Sequence, residues 1–276
     1  LNNVLDLDNG GALRASGNAT VTSKAAGALK FTTTNNVIVS AGKTLTLAAE
    51  GAGTIVGAGA ALELSGGGTL TLKTPVTTAT DLKITDGGTL VVDIDNALPA
   101  LTGTPTIAKG NLVVNAEDFG NTATSLTLTE GNLTLNKSMK DPLVLVKIQN
   151  GKLVVADGVK IGDESVPTGR LVLGDGVKSG HLDLRGDMTL KELSPSASAN
   201  NSIMVANGKT LAVKPAADLT LNATVSGTLS LDVVANQTAT LKKPVWNVVF
   251  KGNSLGAPIL KLDQGVDVGS INFKSD

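Results

Sequence analysis

The sequence predicts an all-β protein: a single-stranded parallel β-helix (solenoid) with about 20 residues per coil and roughly 13 coils. Three observations support this prediction. A short glycine-led motif recurs at a near-constant spacing, its copies alternate apolar and polar residues, and aromatic residues make up only 2% of the chain. A period near twenty residues indicates a solenoid, in which each repeat stacks on the next and shares its core.

The repeated motif is a glycine, one or two small or polar residues, and then alternating apolar positions. Residues 87–92 (GGTLVV) are a clear copy, and 110–114 (GNLVV) and 131–135 (GNLTL) follow it. The first leucines of successive copies lie 18 to 22 residues apart: Leu70, Leu90, Leu112, Leu133, Leu153, Leu171, Leu190, Leu211 and Leu229. A second apolar series runs between these markers, which predicts at least two strands per coil.

The strands are short and rich in Leu, Val and Thr, as in 44–47 (TLTL) and 182–184 (LDL). Alternation with a period of two places one face in the core and the other in water. Gly, Asn, Asp and Lys fill the gaps between strands, which is typical of turns. A sandwich or barrel of hairpins is the alternative architecture. Hairpins have no reason to repeat every twenty residues, and a sandwich core normally uses aromatic residues.

We expect one continuous solenoid domain over residues 1–276. In residues 1–64 the leucine markers Leu13, Leu29, Leu45 and Leu62 are only 16 or 17 positions apart, which predicts shorter, Ala/Gly-rich coils. Residues 65–241 form the regular coils. Residues 242–276 hold most of the aromatic residues and are interpreted as terminal coils or a cap, or as coils that the native chain continues.

Charge and composition exclude two classes of partner. The formal net charge is −1 and the charges are spread thinly, so the electrostatic footprint of a nucleic-acid-binding protein is missing. No stretch approaches the length of apolar sequence that a membrane helix needs, so we expect no membrane insertion of this segment. The first residues do not resemble a signal peptide, and we expect a mature or excised fragment.

Motifs for chemistry are scarce, and we predict no catalytic, cofactor or metal site. His181 is the only histidine and there is no cysteine, so a zinc site or a Ser-His-Asp triad has few candidate residues. We interpret His181 as a solvated turn residue. The best acid–base cluster is Asp183, Arg185 and Asp187, which alternation would place on one outward face of a strand. A solvated face with paired charges has the same appearance.

Three irregular stretches interrupt the period, and we predict them as outward loops that carry recognition: residues 95–106, 162–168 and 194–202. Prolines and runs of small polar residues mark them, because proline removes a donor from a β-ladder. The predicted contact residues within them are Asp95, Asn96, Asp163, Glu164, Ser196, Asn200 and Asn201.

The Gly-x-Leu-x-Leu/Val units, the Gly/Ala/Thr/Asn/Leu/Val composition and the lack of cysteine resemble passenger domains of Gram-negative autotransporters and filamentous-haemagglutinin-like surface proteins. The resemblance covers nearly the whole chain, and its motifs are generic to that class. It implies a right-handed parallel β-helix at the bacterial cell surface or secreted from it.

The same resemblance implies a non-enzymatic adhesin or passenger domain that mediates host-cell attachment or self-association. Its partner would be a host-cell receptor, a matrix component or another copy of the chain, and no cofactor is expected. Two alternatives stay open: a structural surface-layer or fibre scaffold, and a polysaccharide-acting β-helix enzyme.

Overall fold

The computed structural model describes residues 4–7, 12–24, 28–31, 35–56, 61–77, 79–118, 125–139, 143–162, 167–197, 200–252 and 257–275. Within these ranges the chain is all-β and has no helix, and its parallel strands stack as a β-solenoid of about ten turns. The predicted all-β parallel solenoid is therefore confirmed, with about ten turns where thirteen coils were expected. The right-handed winding stays a prediction. The chain divides into two compact units, Leu1–Asp141 and Pro142–Asp276.

In the first unit, three columns of parallel strands form the faces of the solenoid. Its described strands are β1 (Val4–Leu7), β2 (Leu13–Ala15), β3 (Ala19–Lys24), β4 (Ala28–Phe31), β5 (Asn35–Val39), β6 (Thr44–Glu50), β7 (Thr54–Val56), β8 (Ala61–Ser65), β9 (Thr69–Leu72), β10 (Val76–Thr77), β11 (Asp81–Ile84), β12 (Gly88–Val92), β13 (Thr106–Ile107), β14 (Gly110–Val114), β15 (Ser125–Leu128) and β16 (Gly131–Leu135). The columns run β1-β4-β7-β10, β2-β5-β8-β11-β13-β15 and β3-β6-β9-β12-β14-β16.

The leucine markers of the regular coils lie in register in the third column. Leu70 pairs with Leu90, Leu90 with Leu112, and Leu112 with Leu133. All four side chains are fully buried. Stacking identical apolar side chains on neighbouring turns fills the interior without large aromatic residues, because each leucine packs against the leucine of the next turn.

The prediction of shorter coils in residues 1–64 is wrong. Leu13, Leu29, Leu45 and Leu62 lie on β2, β4, β6 and β8, every second strand along the chain, so neighbouring markers fall on different faces and not on successive turns of one face. One full turn here is longer than twenty residues, since Leu45 pairs with Leu70, 25 positions later. A third strand per turn accounts for the extra length.

In the second unit, several long strands cross from one face to the next. Its described strands are β17 (Leu145–Ile148), β18 (Gly151–Val155), β19 (Lys160–Ile161), β20 (Thr168–Leu173), β21 (Gly180–Leu184), β22 (Asp187–Pro195), β23 (Asn201–Val205), β24 (Thr210–Val213), β25 (Leu219–Leu221), β26 (Ala223–Val233), β27 (Thr238–Leu241), β28 (Val245–Gly252), β29 (Ile259–Leu262) and β30 (Val268–Ser275). Strand β22 shows the crossing, because its first half pairs with β19 and β24 and its second half pairs with β20.

The marker series changes face within this unit. Leu153 pairs with Leu182 and not with Leu171, and Leu182 pairs with Ile203. Leu171 instead pairs with Leu193 on another face. The predicted spacing therefore identifies core positions correctly but assigns some of them to the wrong column.

The aromatic residues of 242–276 belong to terminal coils in register with the preceding ones. Val248 pairs with Ile271 and Phe250 with Phe273, and the two phenylalanine rings meet edge to face with centroids 5.9 Å apart. Phe250 is buried, whereas Phe273 is 69% exposed. Side chains in register with the buried apolar residues of the preceding turn are therefore exposed to solvent in the last described turn.

Candidate binding surface

The first predicted loop, residues 95–106, is part of the wall of its turn. Asp95 Oδ1 accepts a hydrogen bond from Glu117 N–H at 2.7 Å, and Asn96 N–H donates to Asp118 Oδ1 at 2.7 Å. Ala97 is buried and its carbonyl accepts from Val76 N–H at 2.8 Å. Asp95 and Asn96 are exposed, yet their polar groups tie this turn to the next one.

The second and third predicted loops have different outcomes. Asp163 and Glu164, in the loop 162–168, lie outside the described residues. In the stretch 194–202, Asn201 begins β23 and is only 2% exposed. Its Oδ1 accepts from Gly180 N–H at 3.0 Å, and its Nδ2 donates to Ser196 O at 3.0 Å. The Asn201 amide therefore bonds to groups inside the protein. Of the other two predicted contact residues in this stretch, Ser196 is half-buried and Asn200 is exposed.

A neighbouring loop that the sequence analysis missed packs beside this stretch. Residues 174–179 connect β20 to β21, and Asn200 N–H donates to Ser179 Oγ at 3.0 Å. Val177 at the tip of this loop is 88% exposed. We call residues 174–179 together with 196, 197 and 200 the loop pair. The sequence signal was Gly174-Asp175-Gly176, which indicates a turn but not its exposure.

The loop pair has a fixed geometry because Asp175 holds the first loop closed. Its Oδ1 accepts hydrogen bonds from Lys178 N–H at 2.7 Å and Val177 N–H at 2.9 Å. These bonds, that from Lys178 first, lower the pKa of the Asp175 carboxyl group. Gly174 and Gly176 adopt φ of +76° and +99°, a region that favours glycine. The carboxylate and the two glycines together present Val177 at a defined position.

A cleft of about 470 Å³ lies between β22 and the segment that leads into β25. Residues 191–195 form one side, and residues 215–220 with Asn222 form the other. Strand β25 starts a separate three-stranded sheet, β25-β27-β29. Among the described residues no β-ladder joins β22 to β25, although the two strands lie side by side.

The polar groups on the β22 side of the cleft form a connected network. Arg170 Nε lies 3.0 Å from Glu192 Oε1, and Ser194 Oγ donates to the same oxygen at 2.7 Å. By contrast, the side chains of Lys191, Thr220 and Asn222 make no hydrogen bond with other described residues. The cleft therefore combines an ordered polar wall with three side chains whose hydrogen-bonding groups are available to a ligand.

The structure separates the predicted acid–base cluster. Asp183 is 4% exposed and accepts from Arg185 Nη2 at 2.8 Å, and this bond raises the pKa of Arg185. Asp187 lies on the next strand, β22, where its Oδ1 accepts from Thr210 N–H at 2.9 Å. The prediction that the three side chains share one outward face is wrong, because the chain turns between Leu184 and Asp187.

His181 lies within β21 and is not a turn residue. Its Nδ1 is 2.7 Å from Ser202 Oγ, and its strand neighbour on the other side is Lys152. Partial burial, and then the charge of Lys152, lower the pKa of the imidazole. The ring therefore favours its neutral form and hydrogen-bonds to the following turn.

Among the described residues, no group of three or more acidic or histidine side chains is arranged to hold a metal ion. Nor does that part of the chain contain a helix of the length and apolarity needed to cross a bilayer. Comparison with protein-family models, with curated proteins and with solved structures finds no match to the chain.

Proposed function

We propose that the chain is a non-enzymatic bacterial adhesin or passenger domain, exposed at the cell surface or secreted, that mediates host-cell attachment or self-association. The observation that carries the proposal is the loop pair, in which Val177 is 88% exposed and Ser179 of the same loop accepts a hydrogen bond from Asn200. A contact site held rigid on a β-scaffold loses little entropy on binding, which is why recognition residues often lie on such loops.

The resemblance to autotransporter passengers and filamentous-haemagglutinin-like proteins supports the same proposal. With it we propose two finer features of the fold: a right-handed winding and one continuous domain. Stacked coils suit export, since each turn can pack on the previous one as the chain emerges. The proposed partner is a host-cell receptor or a matrix component.

A surface-layer or fibre scaffold is the second candidate, and one observation favours it. Leu262, Ile271 and Phe273 in the last described turn are 41%, 37% and 69% exposed. Exposed apolar side chains beside free strand edges favour association between chains. For a polysaccharide-acting enzyme the geometry offers less, because Asp183 and Asp187 do not converge.

The proposal is tested by measuring binding of the purified chain to host cells and to immobilised matrix components. The variant Val177→Asp puts a charge at the tip of the loop pair, and Val234→Asp is its control at another exposed valine, 42% accessible. We expect saturable binding of the wild type and the control, and binding at least about tenfold weaker in Val177→Asp. Equal binding of both variants would contradict the proposed site.

A further inference from the structure

We infer that the corner of the solenoid around Trp246 binds a neutral glycan, with one sugar ring stacked on the indole. The inference rests on the proposed function and deepens it, because it names the chemical class of the partner that is recognised. Three features of the corner carry it: an uncovered indole ring, hydroxyl and amide groups that lack partners within the chain, and the absence of charge in the strand segments beside the indole.

Strand β28 directs Trp246 outward at a corner. Val245 and Val248 are each 1% exposed, whereas the two residues between them, Trp246 and Asn247, are exposed. Regular alternation places one outward residue between two inward ones, so two consecutive outward residues mark a bend in the strand. The ladder between β26 and β28 shifts its register at the same point. The bend leaves Trp246 69% exposed.

The neighbouring turns leave the indole of Trp246 uncovered. Gly269 lies opposite Trp246 in the following turn, and Ser226 and Gly227 lie opposite it in the preceding turn. A side chain at either glycine would collide with a backbone carbonyl oxygen, that of Trp246 or that of Val205. Among the described residues, no aromatic ring or cation contacts the indole and no group accepts its Nε1–H. Both the ring and its donor are therefore available to a ligand.

A small hydroxyl residue separates Trp246 from a second exposed apolar side chain. Met204 on β23 pairs in register with Ser226 on β26, and Ser226 lies opposite Trp246 on β28. Met204 is 50% exposed and Ser226 is half-buried. Since successive strands are about 4.8 Å apart, the backbones that carry Met204 and Trp246 are about 10 Å apart. The Ser226 hydroxyl therefore lies at the floor of a notch with an apolar side chain on each side.

Hydrogen-bonding groups without partners surround the notch. The hydroxyl groups of Thr224, Ser226 and Thr228 make no hydrogen bond with other described residues. Asn247 Oδ1 accepts from Ser270 Oγ at 2.8 Å, which orients the amide and leaves its Nδ2 donors available. A hydroxyl group both donates and accepts hydrogen bonds, and an amide nitrogen donates two. This set matches the hydroxyl groups at the edge of a sugar ring.

The strand segments beside the indole carry no charge, which favours a neutral sugar. These segments are 224–228 (TVSGT), 245–247 (VWN) and 268–270 (VGS). Asp183, the ladder partner of Met204, is 4% exposed and paired with Arg185. The negatively polarised face of an indole attracts the C–H groups on the apolar face of a sugar. A protein partner instead surrounds an aromatic anchor with further contacts that exclude water, and hydroxyl groups occupy that position here.

The test uses the full chain on an array of neutral, sialylated and sulfated glycans. The strongest neutral glycan is then titrated as a free oligosaccharide, by fluorescence and by calorimetry. Trp246 is the only tryptophan, so the emission of the chain reports on this site alone. The variants are Trp246→Ala and Ser226→Ala, and the matched control is Phe273→Ala, at a second aromatic residue that is 69% exposed. Urea unfolding establishes that each variant is folded.

We expect the neutral glycan to change the emission of the wild type and to bind Phe273→Ala with the same affinity. Its affinity for Trp246→Ala should be at least about tenfold weaker, and for Ser226→Ala about two- to tenfold weaker. Because no charge takes part, affinity should change less than about twofold between about 50 and 500 mM salt. An array without a neutral hit, or wild-type affinity in Trp246→Ala, would overturn the inference.

Three further outcomes separate this inference from the proposed function. If the array shows no neutral hit while Val177→Asp loses host-cell binding, the glycan site is rejected and the adhesin proposal stands. If Trp246→Ala loses cell binding, the array is silent and protease treatment of the cells abolishes binding, the indole contacts a protein and the glycan is rejected. Glycan binding at Trp246 without any binding to cells or matrix would reject the proposed attachment function instead.

Discussion

The side chain of Asn201 joins neighbouring turns of the second unit. It accepts from Gly180 N–H and donates to Ser196 O and Oγ, while only 2% of the residue is exposed. A buried amide is tolerated when its groups are paired, and each of these bonds satisfies a polar group that water cannot reach. Asn201 thereby fixes the base of the loop pair.

We predict that Asn201→Ala destabilises the chain by about 1–3 kcal/mol, because Gly180 N–H loses its acceptor in a buried site. Urea unfolding followed by circular dichroism measures the change. The control is Asn200→Ala, whose exposed side chain makes no hydrogen bond with described residues, and for which we expect a change within about 0.5 kcal/mol. Similar free energies of unfolding for the two variants would show that the Asn201 amide is dispensable.

His181 makes stability depend on pH near neutrality. Its pKa in the folded chain is lowered by partial burial and by Lys152, so the unfolded chain, with an imidazole pKa of about 6.5, binds the proton more tightly. Stability is therefore highest above that value and falls as the pH drops from it to the folded pKa. Below the folded pKa of His181, a further drop in pH causes no further loss of stability from this group.

We predict that His181→Gln reduces the difference in unfolding free energy between pH 8 and pH 5. Glutamine keeps a partner for Ser202 and carries no titrating group beside Lys152. The lowered pKa values of Asp157 and Asp175 give stability that is present above an unfolded pKa of about 3.9 and is lost only below it, so they contribute little in this window. An unchanged pH dependence in His181→Gln would assign the effect to other groups.

At the scale of strands, the identity of the core residues follows from the sequence but their faces do not. Alternation predicts that Leu70, Leu90 and Leu112 point inward, and they are fully buried. Spacing along the chain does not reveal where the chain turns a corner, so it places Leu29 and Leu45 on successive turns although they lie on different faces. The position and angle of a corner depend on turn geometry and packing, and the spacing of the leucines gives no information about either.

The candidate site shows the same limit. Proline and serine at 194–196 predicted an outward loop, but Ser194 and Pro195 pair in register with Val172 and Leu173 inside a strand. The cleft lies on the far side of that strand, and the loop 174–179 joins the surface because Ser179 meets Asn200. Both depend on contacts between turns about twenty residues apart, which local sequence patterns do not show.

At the scale of the whole molecule, the last described turn raises the question of association. In two ladders, the side chains that point inward are buried up to the preceding turn and exposed in the last one. Leu241 is fully buried, and its ladder partner Leu262 is 41% exposed. Likewise Phe250 is 4% exposed and its partner Phe273 is 69% exposed. Burying apolar surface of this kind contributes roughly 25 cal/mol per Å², so contact between two such faces is favourable.

We predict that the purified chain self-associates as its concentration rises through the micromolar range and that Phe273→Lys suppresses this association. Trp246→Lys is the matched control, because Trp246 is also 69% exposed but lies on β28, one turn earlier. Sedimentation velocity gives the mass distribution of each variant. If Trp246→Lys abolishes association and Phe273→Lys does not, the contact runs along the side of the strands and not through the open core of the last turn.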